Sequence, residues 1–204
     1  MINPFQLSPI VMEVGLTRGF SPLEQVLFQP ALQIGRCTYM NEKQLLNLVI
    51  DPVLDALHLN SASARLLLLM TAAAESNLGQ YLKQYPNGPA LGIYMIERRT
   101  YYDIFDSVLD YHPGMKNRIL KTCDYVMEPS HNCLIWDLRL ATAMARIQYW
   151  RWPEKLPDNE DLDGLIQYYY KYWGPNPDKT SIDESKNRIF SILHLTQGVK
   201  NELS

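Results

Sequence analysis

From residue 41 to about 195 the apolar positions recur three and four apart, the spacing that puts them on one face of an α-helix. Leu45, Leu46, Val49, Ile50, Val53, Leu54 and Leu57 trace the first stripe, with Asn41 placed to cap its start. The next segment, Ala62 to Ser76, is apolar on nearly every side through Leu66-Leu67-Leu68-Leu69-Met70. A helix with so little polar face belongs at the centre of a core. Asn60 or Ser61 is its predicted cap and Gly79 its predicted stop. Further helices are predicted from Arg98 or Thr100 to Leu109, Met115 to Val126, Trp136 to Tyr149, Leu162 to Trp173 and Ile182 to Leu195. The breakers between them are Pro86-Asn87-Gly88-Pro89, His112-Pro113-Gly114, the pair Pro153 and Pro157, and Gly174-Pro175-Asn176-Pro177. No convincing strand alternation or internal repeat interrupts this pattern, so the predicted class is all-α. Residues 1–40 differ: Pro4, Pro9, Pro22, Pro30, Gly15, Gly19 and Gly35 predict an extended Pro/Gly-rich N-terminal arm ahead of a helical domain over 41–204.

Composition narrows the function classes. The 204 residues suit one domain plus an arm, with 47% apolar and 20% charged residues. A net charge of −3 without a basic run argues against nucleic acid or an anionic membrane as the main partner. The longest mostly apolar run, Leu66 to Ala74, falls well short of the roughly 20 residues of a membrane span. Met1-Ile2-Asn3-Pro4-Phe5 lacks the basic-then-apolar pattern of a signal peptide. Cys37, Cys123 and Cys133 cannot complete a disulfide framework; free buried thiols are expected, with one Cys123–Cys133 bridge as the alternative. The spacing of His112, Cys123, His131 and Cys133 fits no common zinc pattern, and no metal or cofactor is expected. Phosphate-loop, nucleophile-elbow and His-Glu-x-x-His motifs are absent from the sequence.

Three features carry candidate chemistry. Glu75 follows three almost wholly apolar helical turns. Loss of solvent there favours a protonated carboxyl group, which is what a departing glycosidic oxygen needs. The competing interpretation is the exposed, solvated end of a core helix. Ser76, beside it, has a hydroxyl able to orient a substrate. The second feature, Ala90-Leu91-Gly92-Ile93-Tyr94-Met95-Ile96, joins a small residue to a tight apolar turn that brings backbone against a ligand or forms a buried junction. The third is Tyr168-Tyr169-Tyr170-Lys171-Tyr172-Trp173-Gly174, whose rings must point several ways around one helix, some into the core and at least one towards a cleft suited to sugar.

In this order the three features resemble the lytic transglycosylase and goose-type lysozyme superfamily, in the manner of its phage-encoded members. Glu75-Ser76 is similar to that family's Glu-Ser pair at the end of a buried helix. Gly92-Ile93-Tyr94-Met95 lies at the separation of its Gly-Leu-Met-Gln-like turn, and Tyr172-Trp173-Gly174 stands for its late Ala-Tyr-Asn-like motif. Ala141-Thr142-Ala143-Met144-Ala145-Arg146 resembles the helix packed behind the active site. The likeness spans about 41–195 and departs at two points, with Met95 where Gln is expected and Gly174 where Asn is expected.

The resemblance implies a lysozyme-like fold and a peptidoglycan-cleaving enzyme. Glu75 would be the catalytic acid, with Ser76, Gly92, Tyr94, Met95 and Tyr172 at the substrate. Glu75 would protonate the oxygen between N-acetylmuramic acid and N-acetylglucosamine, then help the C6 hydroxyl close an anhydro ring. That route needs one carboxylate, whereas a hydrolase uses a second. Glu97, Asp103 and Asp106 are the nearest candidates for the second, each more readily understood as a solvated helix charge. The implied partners are glycan strands and, through the arm, other phage virion proteins. The implied place of action is the periplasm or cell wall, reached from the virion or from the host cytoplasm at lysis. The alternative implied by the two departures is a tail or head-to-tail virion protein that keeps the fold with little or no catalysis; an unrelated helical interaction domain is a third option.

Overall fold

A computed structural model describes residues 40–174 and 179–193. The chain divides into two units, Met1–Cys37 and Thr38–Ser204, and the described residues all belong to the second. The predicted arm lies outside them, apart from Met40.

The first helical stretch runs as α1 (Glu42–Leu45), a π-helical turn (Leu46–Ile50) and α2 (Asp51–Leu57). Asn41 caps it as the sequence predicts, its side chain accepting the Gln44 N–H at 3.0 Å. Pro52 has no N–H to give the hydrogen-bond ladder, and just before it the Asp51 N–H reaches back to the Leu46 carbonyl, one residue further than an α-helix would. α3 (Ala62–Ser76) starts at Ser61, whose hydroxyl accepts the Ala64 N–H at 3.1 Å. Asn60 turns back to Asp55 instead. An Arg65–Asp51 fork, at 2.7 and 3.1 Å, ties α3 to α2.

Then come α4 (Arg98–Ser107), a 3-10 turn (Leu109–Tyr111), α5 (Pro113–Thr122), a second 3-10 turn (His131–Ile135), α6 (Leu138–Trp150), α7 (Leu162–Tyr172) and α8 (Lys179–Ile192). α5 begins earlier than the pattern predicts, because Pro113 occupies the first helical position, where its missing N–H costs nothing. Among the described residues there is no strand, only isolated bridges of Leu91 with Lys83 and with Ile96. The all-α class therefore holds.

α3 and α6 supply the centre. Leu67 to Ala73 of α3 and Leu140 to Ile147 of α6 are buried without a break. α3 packs against α6, α7 and α8, while α6 also meets α2, α4 and α5. Among the described residues no helix is long and apolar enough to cross a membrane. Cys123 and Cys133 are both free thiols; Cys37 lies outside the described residues.

Candidate active site

The end of α3 positions Glu75. Asn77, Leu78 and Gly79 all adopt positive φ (51°, 52° and 81°), which turns the chain sharply off the helix axis. The Asn77 and Leu78 N–H groups fold back onto the Ala73 and Ala72 carbonyls. The stop thus falls two residues before Gly79. It leaves Glu75 half-buried on the last turn.

Glu75 is held from α7. The Tyr169 hydroxyl donates to Glu75 Oε1 at 2.6 Å. Burial, and then the Glu75 charge, push the Tyr169 pKa far above the ordinary tyrosine range. This hydroxyl therefore keeps its proton and remains a donor. Gly174 fits against the same ring: a Cβ there would stand 2.9 Å from Tyr170 Cδ1 and 3.1 Å from Tyr169 Cε1.

A second tyrosine approaches from α6. Tyr149 is fully buried, and its hydroxyl lies 2.7 Å from Thr71 Oγ1, one turn before Glu75 on α3. Thr71 spends its own proton on the Leu67 carbonyl at 2.7 Å, so Tyr149 is the donor. Burial above all raises the Tyr149 pKa, and the Glu75 charge adds to it. The Tyr149 ring lies 5.2 Å from Trp173 and 5.9 Å from Tyr168. Glu75 thus receives the Tyr169 hydroxyl, while the Tyr149 hydroxyl is fixed on Thr71 one helical turn before it.

Several residues expected at a substrate are placed otherwise. Ser76 is fully buried. Its hydroxyl accepts the Gly79 N–H at 2.8 Å and lies 2.6 Å from the Ile93 carbonyl and 3.0 Å from the Ala72 carbonyl. It pins the 91–96 turn to the end of α3, its proton is committed to carbonyls, and burial closes it to a ligand. Gly92 does bring backbone close to something, but that something is Leu134: a Cβ at φ +79° would meet the Leu134 carbonyl oxygen at 2.5 Å. Tyr94 is likewise interior, with its hydroxyl 3.2 Å from Thr142 Oγ1 on α6. The turn is thus the buried junction of the two interpretations the sequence left open. Met95 alone of these residues is partly open, at φ +48°.

Tyr172 also points elsewhere. Its ring stacks on Trp152 at 5.1 Å and its hydroxyl bonds Glu154, which Lys171 also engages at 2.5 Å. The residue on Glu75 is Tyr169, three positions earlier. Helical spacing cannot choose among Tyr168, Tyr169, Tyr170 and Tyr172, because their neighbours are set by how α7 rotates against α3.

The candidate second carboxylates are used or exposed. Asp103 pairs with Arg151 at 2.7 Å, and this hydrogen bond holds its carboxyl below the ordinary value of 3.8. Glu97 and Asp106 are exposed. α6 carries one charge that sequence inspection passes over. Arg146 is buried, and the loss of water around it lowers its pKa. No group of three or more His, Cys, Asp or Glu is arranged for a metal among the described residues.

No family model matches the chain, and no curated protein and no solved structure matches it.

Proposed function

We propose that the chain is a peptidoglycan-cleaving lytic transglycosylase with Glu75 as its acid and base. The observation that supports this most is the setting of Glu75: half-buried, at a sharp helix end, gripped by the Tyr169 hydroxyl at 2.6 Å. A carboxyl group so held presents a fixed oxygen geometry, which general acid catalysis requires. In this reading Glu75 protonates the glycosidic oxygen between N-acetylmuramic acid and N-acetylglucosamine. It then takes the proton of the C6 hydroxyl as that oxygen closes on the anomeric carbon. Tyr169 keeps Glu75 oriented through both transfers. The Asp103–Arg151 pair and the exposure of Glu97 and Asp106 favour this one-carboxylate route over hydrolysis. Action from a phage virion or at host lysis, with the Pro/Gly-rich segment as a docking arm for virion proteins, belongs to the same proposal.

A second reading has one observation in its favour. Ser76, Gly92 and Tyr94 are committed to the interior, so the residues expected to grip sugar opposite Glu75 are fewer than the resemblance implies. This suits a virion protein that keeps the fold without turnover.

Purified chain and its Glu75→Gln variant, incubated with peptidoglycan and followed by mass spectrometry, separate the readings. Anhydro-muropeptides from the parent alone are the expected result. Reducing ends from the parent alone would mean hydrolysis, and no soluble product from either protein would sink the enzyme.

A further inference from the structure

The loop between the end of α3 and the 91–96 turn carries a dipeptide with chemistry of its own. Asn87-Gly88 is the one Asn-Gly pair in the chain. Asn87 is exposed at the end of a turn over 85–87, and its side-chain amide makes no hydrogen bond among the described residues. Other asparagines are better held. Asn41 caps α1, and Asn60 Nδ2 donates to Asp55 at 2.7 Å. Asn77 Nδ2 donates to Gln80 at 3.2 Å, and the residue after it is a leucine whose N–H is taken by the Ala72 carbonyl. A side-chain amide is attacked most readily by the next backbone nitrogen when no Cβ crowds that nitrogen, and only glycine provides this.

The fold also restrains the nitrogen in question. The Gly88 N–H donates to the Gln84 carbonyl at 3.1 Å. The Gln84 side chain covers one side of the same residue, since a Cβ built on Gly88 would collide with it. Below the tip the loop is closed by Gln84 N–H to the Ala90 carbonyl and Gly92 N–H to the Leu82 carbonyl, both at 3.0 Å. Asn87 is therefore open to solvent while the nucleophile beside it is tethered.

We propose that Asn87-Gly88 is a self-modification site, where the folded chain converts asparagine to isoaspartate and aspartate at a rate set by the Gln84 tether. The Gly88 nitrogen leaves the Gln84 carbonyl, gives its proton to water and attacks Asn87 Cγ. The N–Cγ bond forms, the Cγ–Nδ2 bond breaks, and Nδ2 departs as ammonia, leaving a cyclic imide. Water then opens the ring. Addition at Cγ gives aspartate; addition at the backbone carbonyl gives isoaspartate, with the chain rerouted through the side chain. Either product places a carboxylate at the loop tip, and isoaspartate lengthens the backbone there by one carbon. The site is independent of Glu75 and of the activity proposed there.

The test is incubation of the full chain in mildly alkaline buffer, native and in urea, followed by peptide mapping with mass spectrometry and by enzymatic methylation of isoaspartate. Asn87 should convert ahead of Asn41, Asn60 and Asn77 in the native chain, with the helical circular dichroism unchanged. It should convert about fivefold faster in urea, the worth of one peptide hydrogen bond on the nucleophile. Gly88→Ala, measured in urea where the collision with Gln84 has no bearing, should slow conversion severalfold. The proposal is overturned if Asn41, Asn60 or Asn77 converts first, or if Asn87 is still intact in the native chain once the unfolded chain has converted. Equal rates in the native and unfolded chains, or conversion that appears only as helical structure is lost, overturn it as well.

Discussion

Glu75 and Ser76 are adjacent in sequence and do unrelated work. Glu75 faces a phenol and the surface, whereas Ser76 faces two carbonyls and an N–H in the interior. Their variants should therefore separate. If Glu75 is the proposed acid, Tyr169→Phe, which removes the donor on it, should lower the turnover rate for peptidoglycan about tenfold, at little change in substrate affinity. Ser76→Ala strands the Ile93 carbonyl and the Gly79 N–H and should cost about 1–3 kcal/mol in urea unfolding, while yield per folded molecule stays near the parent. The reverse pattern, a stable Ser76→Ala with weakened substrate binding, would return Ser76 to the substrate. Gly92 is the other residue whose identity is forced. Gly92→Ala should destabilise the chain by at least about 2 kcal/mol, because a side chain must accept φ +79° and also displace Leu134 backbone. Equilibrium denaturation measures it, and a loss under about 0.5 kcal/mol would refute the close approach.

Between elements, polar pairs fix angles that apolar packing alone leaves loose. Thr71–Tyr149 joins α3 to α6, Tyr169–Glu75 joins α3 to α7, and Tyr94–Thr142 fastens the 91–96 turn to α6. The Asp103–Arg151 pair joins α4 to the end of α6 at a partly exposed position. Arg151 depresses the Asp103 pKa, so the pair's contribution is present above 3.8 and is lost as pH falls through the lowered folded value. Asp103→Asn should cost less than about 1 kcal/mol at neutral pH, given solvent screening. Parent and variant stabilities should converge as the pH drops below the ordinary carboxylate value. Urea melts across that range test this, and a gap that widens on acidification would reverse the sign.

Across the described unit, Cys123 belongs to the same buried cluster as the apolar residues of α3 and α6 and is almost wholly shielded from solvent. Burial, chiefly, with the Asp137 charge adding to it, pushes the Cys123 thiol up to about 12. At pH 8 the reactive thiolate is then rare, and alkylation should mark unfolding. Iodoacetamide followed by peptide mapping should leave Cys123 unmodified in the native chain. Under denaturant it should label in step with loss of helical circular dichroism. Labelling of the native chain at the rate of a free thiol would contradict the burial.

Periodicity alone was enough for the helices, their order and the central place of α3, because an apolar stripe must be buried whatever its partner. It was also enough for the local cap at Asn41 and for narrowing the next to Asn60 or Ser61, since these bonds reach only three residues ahead; the structure chose Ser61. The same logic located Glu75 at the end of an apolar helix. That a phenol meets Glu75 was not legible at all: the tyrosine run predicts only rings turned to core or cleft, with Tyr172 at the substrate. Tyr169 is the answer because the rotation of α7 against α3 depends on packing between residues 94 positions apart. The fates of Ser76, Gly92 and Tyr94 were decided the same way, by Ile93, Leu134 and Thr142, none of which a local pattern can assign to them. The sequence by itself determined what must be buried and where helices begin; only tertiary packing decided which polar atoms meet across them.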